Sequence, residues 1–266
     1  LDYLSTLFRF GCQEELMDRN PAERMVIRNR HGSSSAASMV SRQRKRRPFS
    51  VDELNTIFHS EQYRAYPEDA AMRWMPLVCL YQGFRMNEAL QLEPTDTFYQ
   101  DNIFCINITD EYSGDLKEIE KEFFEKRLKT PGAKRLVPMH PELIRLGFLD
   151  LCRLRLKQRS VRIFKDIKPA ATGYFSDILS PRFRTLRKRV GLDGRGVTFH
   201  SLRHNFADVA KNANVPREIR FALGGWKTAQ AVGDEYGEGY SIQNLLAHLR
   251  KVQFIGLDVP EIKFEY

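Results

Sequence analysis

Residues 198 to 213 read TFHSLRHNFADVAKNA, with His200 and His204 four apart and Arg203 between them. Two histidines at i, i+4 can hold zinc on one helix face. The zinc hydrolase form of that motif carries a glutamate base after the first histidine, and Ser201 stands there instead, with Arg203 set as a cation beside any metal. Arginine and histidine one turn apart at a helix start suit an anion better, because unpaired backbone N–H groups gather there. The chemistry to expect is therefore anion binding rather than metal binding.

The elements that must carry these residues follow from periodicity. At about 100° per residue, Leu202, Phe206, Val209 and Ala213 share one face, the core stripe, and His200, Arg203, His204 and Ala207 fall opposite. Thr198 is the N-cap candidate. Upstream, SVDEL begins a helix with Ser50 and Glu53 as a capping box. EDAAMRWMPLVCLYQG is an apolar helix that Pro76 kinks or restarts and Gly83 stops, and RMNEALQL is a short helix after it. Residues 102 to 109, NIFCINIT, read as a strand. KRLKTPGAKRLVPMH reads as a hairpin around Pro-Gly, with Lys129 beside its turn and Lys134 and Arg135 across it. Residues 110 to 126 fit a helix or a long hairpin excursion. Helices follow in PELIRLGFLDLCRLRLKQR, SPRFRTLRKRV, PREIRFALG and SIQNLLAHLRKV. The second of these patterns, at 181 to 190, puts Phe183, Leu186 and Val190 on one side and Arg182, Arg184, Arg187, Lys188 and Arg189 largely elsewhere.

The 266 residues carry 42 Lys and Arg against 34 Asp and Glu, a formal charge of +8, which favours a polyanionic partner. Cys12, Cys79, Cys105 and Cys152 are scattered without a CxxC pair, so neither a zinc ribbon nor a disulfide framework is indicated. No signal peptide or membrane span is read, and a cytoplasmic protein is expected. Residues 1–24 read as the terminal helix of a truncated N-terminal domain. Residues 25–47 read as a linker in which Arg42, Arg44, Lys45, Arg46 and Arg47 track a phosphate backbone, and 48–266 as the main domain.

GFRMNEALQL, LKTPGAKRLVP, HSLRH, LGGW and EYGEGY occur in this order, and together they resemble the catalytic domain of the tyrosine recombinases, the phage-integrase family. The resemblance spans nearly everything after Pro48. It implies an α+β fold, mostly helical with a small antiparallel β-sheet. It also implies DNA strand cleavage by transesterification onto a tyrosine, with no metal and no cofactor. Arg85 and Arg203 then match the family's two phosphate-clamping arginines, with Glu88 supporting Arg85. Lys129 matches the hairpin lysine that protonates the leaving 5′-oxygen, Lys134 and Arg135 being the alternatives. His200 is base, proton relay or phosphate donor. Trp226 stands where most members have histidine; its N–H donates but transfers no proton. Tyr236 is the nucleophile, Tyr240 its rival, and His204 a supporting residue.

The partner implied is double-stranded DNA bearing attachment sites. Arg42, Arg44, Lys45, Arg46, Arg47, Lys134, Arg135, Arg182, Arg184, Arg187 and Lys188 are the candidate contacts. The same resemblance implies nucleoid association, a monomer in solution, a tetramer in the synaptic complex, accessory DNA-bending or directionality factors, and a mobile-element integrase. A type IB topoisomerase, a catalytically silent DNA-binding protein and a zinc hydrolase are the rival readings. The leucines of SIQNLLAHLRKV pack either within the chain or on a neighbouring protomer.

Overall fold

The computed structural model describes residues 2–13, 17, 20–22, 47–112, 126–128, 133–194, 196–226 and 239–262. It divides into two units, Leu1–Arg44 and Lys45–Tyr266. The described part of the first is chiefly helix α1, Asp2–Gln13, which leaves Leu4, Leu7 and Phe10 exposed. No described helix is long and apolar enough to cross a membrane.

The second unit is mostly helical with a three-stranded antiparallel sheet. Helix α2, Val51–His59, starts at the expected capping box: the Ser50 hydroxyl accepts from Glu53 N–H at 3.2 Å, and Glu53 accepts from Ser50 N–H at 3.0 Å. A short helix α3, Glu61–Arg64, leads to α4, Ala71–Gln82, every residue of which is buried. Pro76 neither splits α4 nor restarts it. Burial on all sides explains why α4 reads as uniformly apolar rather than amphipathic.

Gly83 ends α4 with φ 66°. A side chain there would meet more than backbone strain, because its Cβ would lie 2.5 Å from the Phe206 ring. The glycine thus lets a later helix close on the end of α4. Helix α5, Met86–Leu90, and a 3₁₀ turn, Pro94–Asp96, follow.

Strands β1, Thr97–Gln100, β2, Ile103–Ile108, and β3, Arg135–Pro138, lie in the order β1-β2-β3. Strand β1 is an addition to the sequence reading. Gln100 pairs with Ile103 across Asp101 and Asn102, at φ 50° and 62°, the geometry of a two-residue hairpin turn. The expected Pro-Gly hairpin is corrected on one side: β3 pairs with β2, Ile108 opposite Arg135, and Lys126 to Leu128 form no strand. Lys126 is buried instead, its ammonium 2.8 Å from Asp96 and 3.3 Å from Glu93. Residues 113–125 and 129–132, with Lys129, lie outside the described residues.

Two helices, α6, Pro141–Arg145, and α7, Phe148–Lys157, replace the one read from PELIRLGFLDLCRLRLKQR. Then come α8, Ser176–Arg189, α9, His200–Asn212, α10, Arg217–Gly224, and α11, Ile242–Leu249. Leu245, Leu249 and Val252 are buried within this unit, with α11 against β3, so the last helix packs in cis. Cys79, Cys105 and Cys152 are core thiols.

Two polar contacts fix the elements around α9. Asn205 on α9 accepts from Phe49 N–H at 2.9 Å and donates to Phe49 O at 2.7 Å, a buried amide clamp on the chain entering α2. Gln82, at the end of α4, donates to Pro138 O at 3.1 Å and accepts from His140 N–H at 2.6 Å, locking β3 to α4.

His140 is neutral in this setting. Its Nδ1 accepts from Glu142 N–H at 3.1 Å and its Nε2–H donates to Val252 O at 2.9 Å, and burial pushes its pKa down to about 4. The unfolded chain takes up this proton near pH 6.5, so the stabilisation is complete above that pH and lost as pH falls toward 4, about 3 kcal/mol in all. His140→Phe should therefore destabilise most at pH 7 and progressively less at pH 5 and 4.5 in urea unfolding. A difference constant with pH would contradict this account.

Candidate active site

Arg85 precedes the first turn of α5, and its guanidinium turns back over Glu88. The Nη1 donor lies 2.5 Å from Glu88 Oε1, and the Arg85 backbone N–H donates to Oε2 at 3.1 Å. The remaining Arg85 nitrogen, Nη2, reaches Gly225 O at 3.0 Å, at the C-terminus of α10. Arg85 and Glu88 are therefore paired, within a larger group.

Arg135, on β3, completes that group. Its Nη2 donates to Glu88 Oε2 at 2.9 Å, its Nε to Leu223 O at 3.1 Å and its Nη1 to Ala133 O at 2.8 Å. Its side chain is 9% exposed. Burial would raise the Glu88 carboxyl, but Arg135 and Arg85 outweigh it and hold it below its ordinary value. Two guanidiniums at the carbonyl end of α10 also suit the negative end of its dipole.

Arg203 enters from α9. It was expected on the face away from the core, yet it is only 3% exposed. The wheel fails because α9 has neighbours on two sides: Leu202 and Phe206 are buried, and so are Ser201 and Asn205. Arg203 Nη1 donates to Gly83 O, the guanidinium lies 4.2 Å from the Trp226 ring centroid, and Nη2 has no partner among the described residues. Burial first, and then Arg85, push the Arg203 guanidinium down to about 9. Arg85 and Arg135 thus share one carboxylate, and Arg203 lies close enough to feel the charge of all three.

A cleft of about 440 Å³ opens beside them, lined by His200, Arg203, Arg184, Arg187, Thr198 and Cys79 among others. Arg187 Nε and Thr198 Oγ1 there are also buried without partners among the described residues. His200 is exposed at the start of α9, with the His204 ring 4.8 Å away and perpendicular. No group of three metal-ligating side chains occurs among the described residues. The first turn of α9 closes on itself, Ser201 and Leu202 N–H donating to Thr198 and Phe199 carbonyls at 3.0 and 3.1 Å. Thr198 does not cap through its hydroxyl; Ser201 Oγ accepts from Thr198 N–H at 3.0 Å. An anion in this cleft would therefore meet side chains rather than the Ser201 and Leu202 N–H groups.

Trp226 is half-buried, packed on Phe206 and Phe221 at 6.2 Å each. The tryptophan therefore serves as a packing plate for Arg203. Gly225 directly before it has φ 66°, and a Cβ there would lie 2.4 Å from Arg135 Nη1, so the turn needs glycine for both reasons.

The DNA-contact candidates divide. Arg182, Arg184 and Lys188 are exposed on α8. Arg187 is not a surface contact: it is 7% exposed and donates to Leu192 O at 3.3 Å. Arg135 is likewise corrected from a surface cation to a buried partner of Glu88. Lys134 is exposed but paired with Asp110 at 2.7 Å and Glu111 at 2.8 Å, and Arg47 with Glu53 at 2.6 Å. Lys129, Tyr236, Arg42, Arg44, Lys45 and Arg46 lie outside the described residues. Sequence reasoning named Arg135 without finding its partner; the signal was the need of several buried guanidiniums for a carboxylate, which Glu88 meets.

No protein-family model matches the chain, and no curated protein matches it. Among solved structures it is similar to the integrase from mycobacterium phage Brujita, at 17% identity over 97% of this chain and 72% of that one, with a TM-score of 0.44. It is similar to the Tn1549 transposon integrase in complex with transposon right end DNA, at 16% identity over 93% and 76%, TM-score 0.48. A third is the XerH site-specific recombinase bound to difH substrate, at 17% identity over 70% of this chain and 48% of that one, TM-score 0.46; the matched region spans about half of that recombinase.

Proposed function

We propose that this chain is a site-specific DNA recombinase that breaks and rejoins strands through a 3′-phosphotyrosine intermediate. The observation that carries the reading is an excess of positive charge: Arg85 and Arg135 share the one Glu88 carboxylate, and Arg203, within electrostatic reach of all three, keeps an unpartnered Nη2 beside the cleft that His200 also lines. A bound phosphodiester supplies the missing negative charge. In the transition state that charge grows on the nonbridging oxygens, where fixed guanidiniums stabilise it most. The formal charge of +8 and exposed Arg182, Arg184 and Lys188 favour a long polyanion over a small phosphate ester.

In this reading the Tyr236 oxygen attacks phosphorus, an O–P bond forms and the P–O5′ bond breaks. The tyrosine proton passes to His200 or to solvent through it, and Lys129 gives a proton to the departing 5′-oxygen. Arg85 and Arg203 hold the phosphoryl oxygens. Reversal with a different 5′-hydroxyl exchanges strands, in a tetramer on paired sites of a mobile element.

The test uses a pool of end-labelled duplexes of randomised sequence, each carrying one nick, incubated with the protein and EDTA and resolved on a denaturing gel. A covalent protein–DNA band is expected with the wild type and none with Tyr236→Phe. No band with the wild type, or a band that survives Tyr236→Phe, would falsify the assignment.

A further inference from the structure

Arg135 takes part in a closed ring of hydrogen bonds that joins three elements. Around the ring, Arg85 Nη1 binds Glu88, Glu88 binds Arg135 Nη2, Arg135 Nε binds Leu223 O, and Gly225 O, two residues on, accepts from Arg85 Nη2. The corners belong to α5, β3 and the turn that ends α10. The Arg135 guanidinium also lies 5.2 Å from the Phe84 ring centroid, just before Arg85, and the Gly225 turn is shaped to its Nη1.

From this ring we infer that Arg135 is a positioning residue, one that sets the Arg85 guanidinium and the Leu223–Trp226 turn in register with Arg203; the inference rests on the proposed DNA strand cleavage. Arg135 faces protein on every bonded nitrogen, so it touches no substrate. It acts in two directions. Through Glu88 it fixes the rotamer of Arg85, since a carboxylate shared between two guanidiniums cannot follow one of them alone. Through Leu223 O it holds the turn whose next residues carry Trp226, the plate on which Arg203 lies.

A planar fork is needed for this. Its Nε, Nη1 and Nη2 reach three acceptors in different directions, whereas a lysine ammonium at one point reaches Glu88 or the carbonyls but not all three. Arg135→Lys should keep the charge and lose the register. Arg135→Met should lose both.

The experiment compares wild type, Arg135→Lys, Arg135→Met and Gly225→Ala in two measurements. The first is the single-turnover rate of covalent adduct formation on a nicked duplex captured from the randomised pool, beside the Kd for the same duplex. The second is quenching of tryptophan emission by iodide in the absence of DNA. Trp74 is fully buried, so the half-buried Trp226 is the tryptophan iodide reaches. Expected are a rate at least tenfold lower in Arg135→Met and Gly225→Ala, an intermediate rate in Arg135→Lys, Kd within twofold throughout, and stronger iodide quenching in the same order. Wild-type rate and quenching in Arg135→Met would overturn the inference, as would losses of rate matched by equal losses of affinity. Should Arg135→Met fail to fold, Arg135→Lys decides by the same criteria. If the wild type forms no adduct the cleavage reading falls, while unchanged quenching in the variants independently removes the role assigned to the turn.

Discussion

Arg203→Met is expected to abolish covalent capture of DNA while raising the melting temperature of the free protein by about 2–8 °C, the shift that 1–2 kcal/mol produces in a domain of this size. Arg203 is almost fully buried and donates one hydrogen bond, to Gly83 O, with Nη2 unpartnered and the shared Glu88 already engaged by Arg85 and Arg135. Its pKa of about 9 lies below the unfolded value, so the unfolded chain holds this proton more tightly than the folded one. The sign follows: at neutral pH, where both states are protonated, the folded state bears the full cost of the charge, and the cost fades only as pH rises through 9. Methionine matches much of the volume and keeps a favourable contact with Trp226. Against the gain stands the Gly83 carbonyl left without its donor, about 1 kcal/mol for one hydrogen bond, which the relief of a desolvated cation exceeds. The denaturing gel reads capture and calorimetry reads stability, and DNA should raise the melting temperature of the wild type by more than that of the variant, which keeps the exposed Arg182, Arg184 and Lys188. A melting temperature below wild type would show that Arg203 is a structural cation and not one held ready for an anion.

The parts of this arrangement that the sequence discloses are those whose cause is local. Ser50 and Glu53 cap α2 through groups three residues apart, Gly83 ends α4 by its own φ, and Ile103–Ile108 is a strand by composition. The burial of Arg203 is different in kind. A helical wheel assumes one core face, and α9 is covered on two, by α4 at Gly83 and by the entering chain at Phe49. Arg135 is hidden for a related reason. Lying across a hairpin turn it reads as a surface cation, and its partners Glu88 and Leu223 are 47 and 88 residues away in the chain. Arg187 shows the same error on α8, where the apolar stripe of Phe183 and Leu186 gives no sign that the next arginine turns inward. Edge strand β1 escaped because TFYQ is short and exposed, so it lacks the alternation that burial imposes.

Glu88→Gln should be the most destabilising isosteric change in the site, costing about 3–5 kcal/mol, because it leaves the buried Arg135 guanidinium and the partly exposed Arg85 without their carboxylate and Arg203 beside them. The size follows from burial: Glu88 is 3% exposed and Arg135 nearly as hidden, so water cannot replace the lost charge. The folded Glu88 carboxyl sits below its ordinary value, hence its stabilisation is present above the unfolded pKa and lost as pH falls through the folded one. The gap between wild type and Glu88→Gln should accordingly be full at pH 7 and narrow in acid. Combining Glu88→Gln with Arg203→Met separates charge balance from simple loss of a hydrogen bond. If repulsion among the three arginines is the cause, the double variant recovers part of the loss, with a coupling of about 0.5–3 kcal/mol between residues that share no hydrogen bond. Strict additivity in urea unfolding at pH 7 would mean that Glu88 serves Arg85 and Arg135 only as an acceptor, and the charge-excess argument for a phosphate site would lose its footing.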